Sequence, residues 1–172
     1  LFDELKDQPN EQNRLSGVIA QSFINQGDYL SGYKYYRIKS ALATKLHDPI
    51  GKRIAASGMG NALFRRGKKD DALKLYQEAL EIAERSGDRN GYSKALLNIG
   101  TFHRNLGDYE SAQKAYEKSL IVARHIGNLM QESIIIYDIG ELHSYLDQHD
   151  AALACFRQSL EIAERIHDES GK

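Results

Sequence analysis

The sequence predicts an all-α protein built of four helical hairpins, and three observations carry this prediction. The chain aligns with itself, without gaps, in four blocks of 40 residues: 11–50, 51–90, 91–130 and 131–170. Small residues and aromatic residues recur at fixed places in these blocks. Apolar residues recur at helical steps of three and four, and Gly-Asp pairs separate the apolar segments. A fixed period of this length is typical of a helical repeat array.

The tenth place of each block is small, and it is occupied by Ala20, Gly60, Gly100 and Gly140. The twenty-second place is also small, and it is occupied by Gly32, Ala72, Ala112 and Ala152. The twenty-sixth place is aromatic, and it is occupied by Tyr36, Tyr76, Tyr116 and Phe156. We expect the small residues to let the two helices of a hairpin approach closely, with the aromatic ring filling the space beside them.

The helix boundaries follow from turn residues taken in order along the chain. Gly27-Asp28 ends the first helix and caps the second, and Asp48-Pro49 offers an N-cap followed by proline at the first helical position. Gly87-Asp88, Gly107-Asp108 and Gly127-Asn128 repeat the same signal.

In the fourth block, Asp147 replaces the glycine between the two helices, and His167 replaces the glycine after them. We expect helices, with ends good to about 2–4 residues, at 11–26, 29–46, 49–66, 69–86, 89–106, 109–126, 129–146 and 149–167.

The chain begins with Leu1 rather than Met, and residues 1–10 are interpreted as the end of a preceding helix or a cap. We therefore interpret the sequence as a fragment of a longer protein. No Pro- or Ser-rich linker divides residues 11–172, so they are expected to form a single cooperative solenoid domain.

Composition excludes several classes of protein. The 172 residues are 41% hydrophobic and 27% charged, with 23 basic and 24 acidic side chains and a formal net charge of −1. That balance argues against direct binding to nucleic acid, which needs a basic face. No apolar run approaches the roughly 20 residues that cross a bilayer. Cys155 is the only cysteine, so the sequence predicts no disulfide and no thiol metal cluster, and a cytoplasmic location is expected.

Two motifs carry a resemblance to a known family. They read Met59-Gly60-x-x-Leu63…Gly67…Ala72…Tyr76…Ala79-Leu80 and Ile99-Gly100-x-x-His103…Gly107-Asp108-Tyr109…Ala112…Tyr116…Ser119-Leu120. Both resemble the tetratricopeptide repeat (TPR) consensus, and all four blocks match it. The period of 40, rather than about 34, is similar to that of kinesin light chains, Pins-type adaptors and bacterial regulatory TPR modules. The resemblance implies a right-handed superhelical solenoid whose first helices line a concave groove.

In the family, this groove holds a peptide or a helix of a partner protein. Carried over place by place, its lining is Asn61, Phe64, Arg65, Lys94, Asn98, Thr101, Arg104, Asn105, Tyr137, Asp138, Glu141 and Tyr145, with Gln21 and Asn25 continuing it. An Asn amide both donates and accepts, so Asn61 and Asn98 suit the backbone of a ligand. Ser57 stands where a carboxylate clamp needs Lys, which argues against C-terminal EEVD-type tails as ligands.

The charges along this lining predict a polarity. It runs from basic side chains (Arg65, Lys94 and Arg104) to acidic ones (Asp138 and Glu141). A ligand with acidic and basic ends would complement it.

Three other features each have two interpretations. His103 and His143 lie one repeat apart and could bind a metal or sense pH, but no Asp, Glu or Cys completes a ligand set, so a packing role is favoured. Cys155 could be a nucleophile, but a small buried side chain is favoured. The cluster of Tyr33, Tyr35 and Tyr36 could be a binding platform or part of the packing of the first hairpin.

These observations predict a protein- or peptide-binding regulatory module of a larger bacterial signalling protein, one that governs another domain of the same chain. The alternative is a self-association scaffold that forms weak homodimers through the array ends, with Tyr145, Leu153 and Phe156 as contact candidates. No catalytic constellation emerges, so an enzyme, a cofactor and a metal are not expected.

Overall fold

The computed structural model describes the backbone of residues 8–170 and the side chains of residues 8–167. Within this range the chain forms eight α-helices and no strand, which confirms the all-α prediction. The helices are α1 Pro9–Asn25, α2 Tyr29–Lys45, α3 Pro49–Arg65, α4 Lys69–Ser86, α5 Arg89–Asn105, α6 Tyr109–His125, α7 Leu129–Tyr145 and α8 His149–Ser170.

Two helix ends differ from the prediction by more than one residue. Helix α1 begins at Pro9, because proline fixes φ near the helical value and its missing N–H costs nothing in the first turn. Pro9 and Asn10 therefore belong to the first repeat, and the rest of the expected preceding helix or cap (1–7) lies outside the described residues. Helix α8 continues through His167 to Ser170, because the stop signal expected there depends on glycine.

The other turns follow the predicted chemistry. Gly27, Gly67, Gly87, Gly107 and Gly127 all have positive φ, as left-handed helix ends require. His47 and Asp147 stand at equivalent turns and take the same conformation, with φ of 52° and 57°. Their Cβ atoms make that backbone costly, so these two turns are strained relative to the glycine turns.

The aromatic rings lie directly on the glycines of the first helices. A Cβ built on Gly100 would come 2.5 Å from the ring of Tyr116, and one on Gly60 would come 2.7 Å from the ring of Tyr76. Gly140 meets Phe156 at the same distance of 2.7 Å. The glycines are therefore required by ring packing within the second, third and fourth hairpins, as the sequence predicted.

The chain divides into two compact units, Leu1–Gly91 and Tyr92–Lys172. In the first unit, α2 packs against both α1 and α3, and α3 packs against α4. In the second unit, α7 packs against α6 and α8. The division falls next to the boundary between the second and third blocks, and the single solenoid domain predicted for residues 11–172 stays a prediction.

Two turn aspartates also bind side chains of earlier helices, within the residues of the first unit. Asp48 accepts from the backbone N–H of Gly51 and from Nδ2 of Asn13, at 2.9 and 3.0 Å. Asp88 accepts from the backbone N–H of Gly91 at 2.8 Å, and from Nε of Arg53 at 3.0 Å. Each aspartate thus caps one helix and binds a side chain that lies 35 residues earlier.

Candidate functional site

The first helices of the first unit carry five of the predicted lining residues: Gln21, Asn25, Asn61, Phe64 and Arg65. Gln21 donates from Nε2 to Oδ1 of Asn25 at 2.8 Å. The Oδ1 of Asn61 accepts from the Tyr76 hydroxyl at 2.7 Å. A ligand backbone would therefore meet only the NH₂ group and one lone pair of Asn61. Arg65 is exposed at the end of α3.

The second unit brings four predicted residues into one polar group. Nη1 of Arg104 donates to Oδ1 of Asp138 at 2.9 Å and to Oε2 of Glu141 at 2.5 Å. The Arg104 side chain is 9% exposed, against 16% for Asp138 and 35% for Glu141. The guanidinium carbon of Arg104 lies 5.9 Å from the ring centroid of Tyr145. We call these four residues the Arg104 group.

This pairing corrects the charge pattern expected from the sequence. Arg104 was expected to present a positive charge to a ligand, yet the two carboxylates of α7 already neutralise it. Asp138 and Glu141 lie 34 and 37 positions after Arg104 in the sequence, but helices α5 and α7 bring them into contact with it. Burial raises the pKa of Asp138 and Glu141 adds to that effect, while Arg104 opposes it.

The remaining predicted residues of α5 are distributed differently. Lys94 and Asn105 are exposed, and Asn98 is half-buried. Thr101 accepts from the Tyr116 hydroxyl at 3.2 Å, and burial raises the pKa of that phenol to about 12. Among the residues that the structure describes, no hydrogen bond or ion pair joins Lys94, Asn98 or Asn105 to the Arg104 group.

One hydrogen bond repeats through three blocks and stops at the fourth. The tyrosine hydroxyl of the second helix donates to a polar side chain 15 residues earlier, in the pairs Tyr36–Gln21, Tyr76–Asn61 and Tyr116–Thr101. The fourth block has Phe156 and Glu141 at these places. Since phenylalanine has no hydroxyl, Glu141 receives no such bond and accepts from Arg104 instead.

Glu141 also lines an open pocket of about 300 Å³ between α7 and α8. Its other lining residues are Tyr137, Ser144, Tyr145 and Phe156. Tyr137 and Tyr145 are 50% and 58% exposed. Sequence reasoning predicted the two tyrosines and Glu141, but it missed Ser144 and Phe156. The signal that could have identified Phe156 is its departure from the tyrosines of the other three blocks.

The two tyrosines of the pocket are held by neighbouring rings. Tyr137 and Phe156 have ring centroids 5.2 Å apart, with a tilted arrangement. Tyr145 stacks on Tyr109 at 6.0 Å, with an angle of 19° between the ring planes. The aromatic walls are therefore partly preorganised while their surfaces stay open to solvent.

His103 and His143 bond to side chains close to them in the sequence, and Cys155 is half-buried. Nδ1 of His103 contacts Oδ2 of Asp108 at 3.0 Å, and Nδ1 of His143 contacts Oε1 of Gln148 at 2.6 Å. Each histidine thus bonds across the turn that follows its own helix. Burial raises the pKa of the half-buried Cys155 thiol, which disfavours the thiolate.

Among the residues that the structure describes, no three His, Cys, Asp or Glu side chains converge as a metal site would need. None of the helices in the described range combines the length and apolar character needed to span a membrane.

Comparison with known protein families identifies the family of this chain. One tetratricopeptide repeat model matches residues 91–165 and a second matches residues 54–86, and together these matches span more than half of the sequence. The chain belongs to the tetratricopeptide repeat family. The TPR fold is that of a protein–protein interaction module, so this chain is such a module by family.

A curated relative is the protein FLUORESCENT IN BLUE LIGHT, chloroplastic, of Arabidopsis thaliana, which is 30% identical over 93 residues. The match covers 54% of this TPR chain and 29% of the Arabidopsis protein, so the chain spans less than a third of that relative. The crystal structure of the TPR domain of Arabidopsis FLU is 27% identical, with a TM-score of 0.60, and the match covers 70% of this chain and 99% of that domain.

A structural neighbour that is less similar in sequence is a Rap protein solved in complex with Competence and Sporulation Factor. It has a TM-score of 0.83 at 16% identity, and the match covers 92% of this chain and 44% of the Rap chain. At this identity the likeness shows the fold alone.

Proposed function

We propose that this TPR module binds a peptide segment of a partner protein on its first helices, and that it regulates another domain in a larger bacterial signalling protein. The observation that carries the proposal is the open pocket beside the Arg104 group, where residues expected to line a groove surround a cavity with exposed aromatic walls. Interaction sites are commonly concave and lined by partly fixed aromatic rings with a few polar groups.

One structural neighbour supports a binding role. The Rap neighbour was solved with Competence and Sporulation Factor bound, so this fold is compatible with holding a ligand. This chain covers 44% of the Rap chain and 29% of the Arabidopsis protein. In both relatives, TPR-like sequence is therefore combined with further sequence, which is consistent with a regulatory module.

The proposed role is non-catalytic. The one cysteine has a thiol whose pKa is raised by burial, and the two half-buried histidines bond within their own turns. The charged side chains of the Arg104 group form salt bridges rather than a nucleophile with its base.

A peptide library displayed on phage and selected on the immobilised chain tests the proposal. Selected peptides are expected to lose affinity when Asn61 and Asn98 are both replaced by alanine, by up to about tenfold for each hydrogen bond lost. Glu84→Ala and Lys118→Ala change exposed residues of second helices and serve as matched controls. Equal binding by all variants would refute the assignment of the first helices as the binding surface.

A second candidate function is a self-association scaffold, and one observation favours it. Leu160 on α8 is 59% exposed. Its equivalent in the third block, Leu120, packs against the core cluster that includes Ile135 and Leu142 of α7. A second copy of the chain is a natural candidate to cover such an apolar face.

A further inference from the structure

The fourth repeat lacks the tyrosine hydroxyl hydrogen bond that joins the two helices of each of the other three repeats. In those repeats a tyrosine hydroxyl of the second helix occupies the polar side chain of the first helix, at 2.9, 2.7 and 3.2 Å. Phe156 supplies no hydroxyl to Glu141. Glu141 therefore accepts from Arg104 and not from a tyrosine, and it borders the open pocket between α7 and α8. The equivalent Gln21 also borders a pocket, but it accepts from the Tyr36 hydroxyl and carries no charge.

The electrostatics of this pocket are one-sided. Arg104 contributes one positive charge, and Asp138 and Glu141, when both are ionised, contribute two negative charges, so one negative charge remains. The positive partner is the most deeply buried of the three side chains and Glu141 is the most exposed. A ligand that enters the pocket therefore meets a carboxylate, with the guanidinium behind it.

The walls of the pocket suit a long aliphatic chain. Tyr137, Glu141 and Tyr145 follow one another at steps of four residues, so they share one face of α7. The carboxylate is then flanked along the helix by two rings that are each at least half exposed. Phe156 of α8 closes one side.

We propose that this pocket binds the side chain of a lysine or arginine of the partner peptide, with the cationic group at Glu141 and the aliphatic stem against Tyr137 and Tyr145. This inference rests on the proposed peptide-binding function and specifies one residue of the ligand. Lysine and arginine side chains combine an apolar stem with a charged end, which matches the walls and the carboxylate of the pocket.

Other side chains fit less well for physical reasons. An acidic side chain would be repelled by the remaining negative charge. A purely apolar side chain would contact the aromatic walls of the pocket. It would also shield Glu141 from water without offering it a hydrogen bond, which costs free energy. A cation forms a charge-assisted hydrogen bond with the carboxylate and gains contact with the exposed rings.

The test is an NMR titration of the isotope-labelled chain with N-acetyl-arginine methylamide. We expect saturable shifts centred on residues 137–145 and 156, with a dissociation constant of about 1–10 mM, as for a single small anchor group. N-acetyl-citrulline methylamide, which has nearly the same shape without the charge, is expected to bind at least about tenfold more weakly, because it loses a charge-assisted contact. Equal binding of the two compounds, or shifts located elsewhere, would overturn the inference.

Two variants test in different ways whether the Glu141 carboxylate binds the cation. Glu141→Gln removes the charge, and Phe156→Tyr supplies the hydroxyl that occupies the equivalent place in the other repeats. Each is expected to weaken binding of the arginine derivative by about tenfold, since each removes or competes for one charge-assisted hydrogen bond. Glu161→Gln, an exposed change on α8, is the matched control and should bind as the parent does.

These results separate this inference from the proposed function. If selected peptides bind the first helices but contain no basic residue that contacts the pocket, the inference is wrong and the function stands. If the arginine derivative binds as expected but no peptide is selected, the pocket assignment stands and the peptide-binding function is wrong. Thermal melting of each variant shows that a loss of binding does not come from unfolding.

Discussion

Arg104 shows how strongly the role of one residue depends on its neighbours in space. As an open groove residue it would be dispensable for stability, and its replacement would leave the melting temperature nearly unchanged. In the structure its guanidinium is largely buried between Asp138 and Glu141. Removing it would leave two carboxylates close together in a partly desolvated place, and an unpaired charge of that kind is costly.

We therefore expect Arg104→Ala to lower the free energy of unfolding by about 2–4 kcal/mol, somewhat less than for a fully buried pair because Glu141 is partly exposed. Urea unfolding at pH 7 measures the change. Lys94→Ala, on the exposed side of the same helix, is the control and should change stability by no more than about 0.5 kcal/mol. Similar losses for both variants would show that the Arg104 group contributes nothing specific.

Asp28 gives a prediction for the pH dependence of stability. Its carboxylate caps α2 by accepting from the backbone N–H of Ser31 at 3.0 Å. Hydrogen bonds from Ser31, above all, lower the pKa of Asp28 from its ordinary value of 3.8. Because the folded pKa is lower than the unfolded pKa, this contribution is fully present above 3.8 and is lost as pH falls through the folded value.

Asp28→Asn separates the cap from its titration, since asparagine caps helices about as well as aspartate but carries no ionisable group. At pH 7 the two proteins should have similar stability. Below pH 3.8 the parent should lose stability relative to the variant, as measured by the difference between their urea midpoints from pH 7 to pH 2. A difference that stays constant across this range would contradict the prediction.

At the residue scale, Thr101, Arg104, Asp138, Glu141 and Tyr145 were expected on one groove surface because of the resemblance to tetratricopeptide repeats, and that assignment stays a prediction. The salt bridges of Arg104 were not expected, since they depend on how far two helices approach and which rotamers result. The capping role of Asp28 was predictable because it is local in sequence.

Among the helices, the contact between Gly100 and Tyr116 sets the spacing of the α5–α6 hairpin. Gly100→Ala gains up to about 1 kcal/mol of helix propensity, but it places a Cβ 2.5 Å from the Tyr116 ring. Overpacking of this kind costs about 1–3 kcal/mol, so the net effect should be destabilising.

Gly100→Leu should destabilise further, and differential scanning calorimetry measures both changes. Ala154→Leu, at an exposed place of α8, adds the same side chain where nothing opposes it and serves as the control. If Gly100→Ala were more stable than the parent, the ring contact would not constrain the hairpin as described.

The two left-handed turns without glycine offer a route to greater stability. His47 has φ of 52°, a conformation that costs about 1–2 kcal/mol for residues with a Cβ. His47→Gly should raise the free energy of unfolding by about 0.5–1 kcal/mol, after allowing for the entropy that glycine loses on folding. Asp147→Gly should raise the free energy of unfolding less, since the short polar side chain of Asp can hydrogen-bond locally in this conformation.

His167→Gly is the informative control, because His167 occupies the same place in its block as His47 but lies inside α8. Because glycine has a low helix propensity, this replacement should not raise the free energy of unfolding. Chemical unfolding of the three single variants gives the comparison. Equal gains at all three positions would show that the effect does not come from the left-handed turn.

The sequence predicted most helix boundaries because Gly-Asp and Asp-Pro signals are local. The start of α1 and the end of α8 lie within the expected margin of about 2–4 residues, but they show the largest differences. Pro9 precedes the first repeat block and was assigned to a preceding helix or a cap, although proline is common in a first turn. His167 is followed by Asp168, which resembles the other turns, but the helix continues there in the absence of glycine.

For the molecule as a whole, the 40-residue period predicted four hairpins, since each block contains two amphipathic segments with a turn between them. The division after Gly91 gave no comparable signal. The residues on either side of it repeat the pattern found at the other block boundaries, where the capping residues are Asp48, Asp88 and Asn128. A boundary between compact units depends on many weak contacts, which no single motif encodes.

The exposed apolar residues of α8 lead to a prediction about self-association. Leu153 and Leu160 are both exposed and, at seven residues apart, lie on one face of the helix. Burying such a face against a second copy would remove apolar surface from water, at about 25 cal/mol per Å². We expect weak, concentration-dependent dimers, detected by light scattering over a hundredfold range of concentration.

Leu153→Lys combined with Leu160→Lys should abolish this association, because two added charges on each copy would have to be buried without partners. Ile121→Lys is the matched control: Ile121 is exposed too, but it lies on α6, and its replacement should leave the dimer intact. A parent chain that stays monomeric over the whole range would remove the support for the scaffold alternative. Association that survives the double replacement but is lost in Ile121→Lys would place the contact on α6, and the exposed leucines of α8 would then require a different partner.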